Sequence, residues 1–120
     1  MTRANDYFDI TCAPLRVDTV GLTVQNLDTV SDYYQRVLGL VPLATEKGSV
    51  TLGTNNAPLL KLDGDPALRL RDRRQAGLFH TAFLMPSRAD LGRWLAHVAE
   101  AGVRLHGASD HIVSEAIYLA

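Results

Sequence analysis

Few residues in this chain have side chains able to do chemistry. There are four histidines, His80, His97, His106 and His111, and one cysteine, Cys12. Imidazole can hold a divalent metal or move a proton near neutral pH, and a thiolate can attack carbon or bind zinc. Cys12 stands before Pro14 with no base at a readable spacing, so a nucleophile is not expected there. Zinc-finger and thioredoxin-type sites need cysteine pairs and are excluded. His97 falls off the apolar stripe of a helix and His106 precedes Gly107 in a turn, so both are expected to be solvated. His80 lies in an alternating stretch, while His111 and Tyr118 flank a short strand. Arg69, Arg71, Arg73 and Arg74 could steer an anion, but their polar surroundings read as a solvated connector.

The elements that must position these residues follow from apolar periodicity. Residues 16–25 alternate, with Val20, Leu22 and Val24 on one face and Thr19, Gly21 and Thr23 on the other, which is a half-buried strand. Val30, Tyr33, Tyr34, Val37 and Leu38 then form one stripe of an amphipathic helix, with Asp28 placed to cap it and Gly39 to close it. Strands are expected over 40–45, 49–53 and 58–62, with turns at Gly48 and Asn55-Asn56. After a connector over 63–76, residues 78–85 alternate again. Ser87 to Asp90 then reads as a capping box, opening a helix whose stripe is Leu91, Trp94, Leu95 and Val98. Gly102 closes that helix, and residues 103–105 and 114–119 are strand candidates.

The two halves are related. Shifted by 61 positions, Val20, Leu22 and Val24 fall on Thr81, Phe83 and Met85, and Val30, Tyr33 and Val37 fall on Leu91, Trp94 and Val98. The chain therefore reads as a tandem α+β repeat of strand–helix–strand–strand–strand units. Residues 1–15 form an extension and 16–120 one domain, with repeat 1 at about 16–62 and repeat 2 at about 77–120. The second repeat lacks its last strand, and the expectation is that the sequence is a fragment. Pairing of the two units predicts a curved mixed sheet with helices outside and a crevice within. Thr19, Gly21 and Ala82 face that crevice, and the small Gly21 and Ala82 leave room for a ligand.

Composition bounds the function. The 120 residues suit one domain, 47% of them are apolar, and this is enough to build a core. Twelve basic against thirteen acidic residues argue against a charge-driven nucleic-acid binder. No apolar run reaches the length of a membrane span, and the polar N-terminus is no secretory signal. A single cysteine fits a reducing, cytoplasmic setting.

The segments Val20-Gly-Leu-Thr-Val-Gln-Asn-Leu-Asp28, Tyr34 and Val37-Leu-Gly-Leu40 resemble the opening of a vicinal-oxygen-chelate module. That superfamily holds glyoxalase I, bleomycin-resistance proteins and extradiol dioxygenases. Residues 77–91 and 107–118 resemble the N-terminal module of catechol 2,3-dioxygenase-like proteins. The resemblance implies an extradiol dioxygenase that cleaves an aromatic ring, or the non-catalytic module of one. In such an enzyme, Fe(II) or Mn(II) held by two His and one Glu binds both oxygens of a catechol and dioxygen beside them. Carried over, His80 matches the second ligand, Thr19 occupies the first ligand position, and the Glu position lies beyond Ala120. No tightly bound metal is therefore expected in this chain alone. The resemblance also implies an acid–base role for His111, a hydrogen bond from Tyr118 to the substrate, and pairing as a homodimer or with a second module. Thr19 in place of His favours the alternative, a metal-free small-molecule-binding protein of the bleomycin-resistance type.

Overall fold

The structure is a computed structural model describing residues 14–55 and 57–119, so Cys12 and Ala120 lie outside the described residues. The described residues form two compact units, one of residues 14–35, 40–55 and 57–69 and the other of residues 36–39 and 70–119.

The first unit opens with β1 (Val20–Val24), whose Val20, Leu22 and Val24 are half-buried while Gly21 and Thr23 are exposed. This is the alternation that the sequence predicts. Helix α1 (Leu27–Leu38) follows, and its cap differs from expectation. Asn26, not Asp28, accepts a hydrogen bond from the Thr29 amide through Oδ1 at 3.0 Å. Asp28 instead sits in the first turn, where its charge complements the helix dipole. Gly39, with φ of 71°, ends the helix in the left-handed region, as expected.

Strands β2 (Val41–Glu46), β3 (Ser49–Thr54) and β4 (Ala57–Gly64) then complete a mixed sheet in the order β1-β4-β3-β2. Strand β4 is central, pairing parallel with β1 (Val20 opposite Leu60) and antiparallel with β3 (Leu52 opposite Leu60). Its period of two turns Leu60 and Leu62 inward and Lys61 out toward Asp63, 3.9 Å away. Leu52, Leu60 and Leu62 have no exposed surface, and Leu40 and Val50 have little.

The second unit is built differently from its sequence expectation in two places. Residues 78–85 form no strand ladder among the described residues, although they keep the alternation: Thr81, Phe83 and Met85 are half-buried, Ala82 and Leu84 exposed. The physical reason lies in the first unit, where β1 is held in its sheet by β4 alone. No described strand plays the part of β4 for residues 78–85. The second difference is at residues 103–105. The Val103 amide bonds to Val98 O at 2.9 Å and that of Gly102 to Ala99 O at 3.2 Å, a Schellman closure of helix α2 (Arg88–Glu100). Val103 is thus committed to the helix end, and strand β5 starts later, at Leu105–Asp110. His106 accordingly lies in a strand beside a bulge, not in a turn.

Ser87 caps α2 as predicted, its Oγ accepting from the Asp90 amide at 3.1 Å. Strand β6 (Glu115–Leu119) pairs antiparallel with β5 to form a two-stranded sheet. In this unit Val37 and Val98 are the buried apolar residues, with Trp94 Nε1 donating to Val37 O at 2.8 Å. His97 is exposed, yet its Nε2 lies 2.8 Å from Arg36 O, so it is fixed to a backbone carbonyl and not freely solvated. No helix among the described residues is long and apolar enough to cross a membrane.

Candidate functional site

The β5–β6 hairpin brings two predicted site residues together. Asp110 and Glu115 are the last paired residues, and the Asp110 carboxylate accepts from the Ile112 amide at 2.8 Å. The His111 amide bonds to Ser114 O at 2.7 Å, which closes the loop with Ile112 at a positive φ of 71°. That conformation is costly for a β-branched residue and is held by the surrounding hydrogen bonds. From this loop His111 Nε2 reaches Tyr118 Oη at 3.3 Å. An imidazole and a phenol at that distance can share a proton, and each can bond to a polar oxygen of a ligand. Both are exposed, so water competes for them.

Of the other predicted residues, Thr19 and Gly21 belong to the first unit and His80 and Ala82 to the second. Thr19 immediately precedes β1 and donates from Oγ1 to Pro58 O at 3.4 Å, so its hydroxyl serves the backbone. Gly21 lies in β1 opposite Lys61, with open space where a Cβ would stand. Ala82 and His80 belong to the segment without a ladder, and both are exposed. The His80 ring meets Phe79 edge-on at 5.1 Å. The exposed arginine connector is internally tied, with Arg71 Nη1 donating to Gln75 O at 3.0 Å.

A vicinal-oxygen-chelate iron centre needs two imidazoles and a carboxylate around one point. Among the described residues no group of three or more His, Cys, Asp or Glu side chains is placed to hold a metal ion. The hydroxyl of Thr19, for which the family resemblance implies the first ligand position, donates to Pro58 O. These residues do not fit an iron or manganese centre.

Sequence reasoning did not find a cavity of about 390 Å³ between α2 and the hairpin. Leu91, Gly92 and Leu95 of α2 line it with Ala108, Ala116 and Ile117, and Arg88, Ser109, Asp110 and Glu115 complete the wall. Arg88 donates to Glu115 through Nε at 2.7 Å and through Nη2 at 3.2 Å. The Glu115 carboxylate, and more weakly Asp110, hold the Arg88 guanidinium even more firmly protonated than usual. The two residues are 27 positions apart, so no local pattern could have revealed the pair.

With this geometry in view, three comparisons locate the chain among known proteins. The family model of the Glyoxalase/Bleomycin resistance protein/Dioxygenase superfamily matches residues 16–120. A catechol-2,3-dioxygenase of Bacillus subtilis is 37% identical over 101 residues, covering 82% of this chain and 35% of that protein. The chain thus spans about a third of that relative's length. Among solved structures, a lactoylglutathione lyase from Agrobacterium tumefaciens superposes with a TM-score of 0.66 at 17% identity, covering 88% of this chain and 85% of that one. A glyoxalase/dioxygenase from Nostoc punctiforme gives 0.63 at 18% identity, covering 89% and 86%. At those identities the structures speak for the fold, the vicinal-oxygen-chelate arrangement of α+β repeats. The chain belongs to the glyoxalase/bleomycin resistance protein/dioxygenase superfamily.

Proposed function

We propose that these 120 residues are a non-catalytic module of an extradiol-type, ring-cleaving dioxygenase. The observation that carries this reading is the donor set. The sequence is 37% identical over 101 residues to a catechol-2,3-dioxygenase, yet its described side chains assemble no three-donor metal group, and the resemblance implies Thr19 at the first ligand position. A ferrous centre would have to orient both catechol oxygens and dioxygen. One imidazole, His80, cannot do so. The module's contribution is then structural and recognitional: it pairs with a second module or a second copy, and His111 with Tyr118 offers a phenol-directed polar contact.

Thr19 in place of a ligand histidine also supports a second reading, a metal-free small-molecule-binding protein of the bleomycin-resistance type. One experiment addresses both. The 120-residue chain is loaded anaerobically with Fe(II), mixed with catechol and air, and followed for the visible absorption of a ring-opened product. The proposal expects no turnover above an iron blank. Turnover that disappears in His80→Ala would overturn it. A nuclear magnetic resonance titration of metal-free chain with catechol separates the readings. Saturable binding by a dimer favours the binding protein, and no binding by the chain alone favours the module.

A further inference from the structure

Between β4 and α2 the chain runs over residues 65–87 without joining a strand ladder or a helix. Residues 69–80 are all exposed, and the border between the two compact units falls after Arg69. Arg69, Arg71, Arg73 and Arg74 stand within this stretch. Its folding is local. The Gln75 amide bonds to Asp72 O at 3.0 Å, the Asp72 amide to Gln75 Oε1 at 3.0 Å, and the Arg74 amide to Asp72 Oδ1 at 2.8 Å. Among the described residues, no hydrogen bond joins residues 69–77 to chain outside them. Opening the turn at 72–75 therefore breaks exposed bonds only, and leaves every strand and helix as it was. Arg71 is spent on this turn: Nη1 donates to Gln75 O at 3.0 Å, and Cδ lies 2.7 Å from where a Cβ on Gly77 would stand. The Arg73 and Arg74 side chains make no hydrogen bond or ion pair among the described residues.

We propose that the turn at 72–75 is a cleavage site for an arginine-directed endoprotease, and that the cut chain stays assembled through the end of α1. Such an enzyme draws several residues into an extended conformation and seats one arginine against a carboxylate. Exposure, local bonding and two uncommitted guanidiniums meet both needs at Arg73 and Arg74. Arg36, Arg88 and Arg93 are in helices and Lys61 is in the central β4, where extension would first unfold the element. Hydrolysis breaks the C–N bond after Arg73 or Arg74. Water gives its oxygen to the new carboxylate and its protons to the new terminal ammonium. Residues 36–39 stay on the N-terminal piece, yet they belong to the second compact unit. There Val37 and Val98 are buried, Trp94 Nε1 donates to Val37 O at 2.8 Å, and His97 Nε2 lies 2.8 Å from Arg36 O. None of these contacts passes through the connector, so cutting it leaves them in place. The proposal stands or falls independently of any dioxygenase reading.

The test is brief digestion of the 120-residue chain with trypsin, which cuts after arginine and lysine, followed by mass spectrometry of the products. Of the bonds between Val20 and Leu119, those after Arg73 and Arg74 should break first, about tenfold faster than any other. Arg73→Gln and Arg74→Gln together should slow that first cut about tenfold and leave the urea midpoint unchanged. After the cut, size exclusion should show the two pieces eluting as one species at the uncut size. Trp94→Phe, which keeps an aromatic ring and removes the donor, should loosen the nicked pair about fivefold, read as dissociation on dilution. If that variant fails to fold, His97→Ala, which removes the other contact to α1, takes its place. A first cut anywhere else in that span overturns the proposal, as does an undiminished rate in the double variant. Pieces that part on cleavage, or a nicked pair indifferent to loss of the donor, overturn the part assigned to α1.

Discussion

Replacing Leu60 by alanine tests where the stability of this chain resides. Leu60 has no exposed surface and sits at the one sheet position paired to both Val20 and Leu52. The substitution removes three carbons, about 2.4 kcal/mol of transfer free energy at about 0.8 kcal/mol per methylene. It also leaves a hole that a strand held on both sides cannot close, bringing the expected loss to about 3–4 kcal/mol. Leu95 is the natural control. It is 39% exposed and borders the existing cavity, so Leu95→Ala enlarges open space and should cost about 1 kcal/mol or less. Urea denaturation followed by far-ultraviolet circular dichroism reads both. With a slope of about 2 kcal/mol per molar urea, Leu60→Ala should lower the midpoint by about 1.5 M or abolish the folded baseline. A shift below about 0.5 M, or an equal effect of Leu95→Ala, would refute the assignment of the main core to β3 and β4.

Other consequences are as direct. A Cβ at Gly53 would stand 2.1 Å from Ala57 O, a backbone atom beside a bulge, so Gly53→Ala should destabilise by about 3 kcal/mol, measured by the same denaturation. Asp90 has its carboxyl held below the ordinary range by the Ser87 hydroxyl and by Arg93. Its contribution is therefore present above the unfolded carboxylate pKa and lost as pH falls through the lower folded value. Acid unfolding of Asp90→Asn should lack that component, and an unchanged acid limb would contradict the assignment. Ile112→Gly should raise stability by about 1 kcal/mol by relieving the positive φ in the hairpin loop, and a loss of similar size would show that the loop is not strained.

Much of the fold was legible because the first repeat is locally consistent. The alternation of Val20, Leu22 and Val24, the stripe of α1 and the leucines of β4 each give one reading, and the structure follows it. Caps were less legible. Asn26 and Asp28 are both good capping residues, and only the geometry selects Asn26. Residues 105–110, Leu-His-Gly-Ala-Ser-Asp, carry no alternation, so β5 is visible only through its pairing with β6. Residues 78–85 show the converse: strand periodicity without a ladder, because a strand needs a partner that periodicity cannot supply. At the site, the sequence places His111 and Tyr118 at either end of a strand, and their contact comes from the turn of the hairpin loop, which no periodicity shows. The Arg88–Glu115 pair and the Trp94 and His97 bonds to backbone carbonyls join residues remote in sequence, and no spacing announces them.

The central claim is that this module holds no catalytic metal of its own. It is tested most directly by mass-spectrometric iron and manganese analysis of the 120-residue chain, purified without chelator or affinity tag. The account predicts metal far below one ion per chain, unchanged by His80→Ala. Stoichiometric iron or manganese that is lost on His80→Ala would contradict it, and would make His80 a ligand.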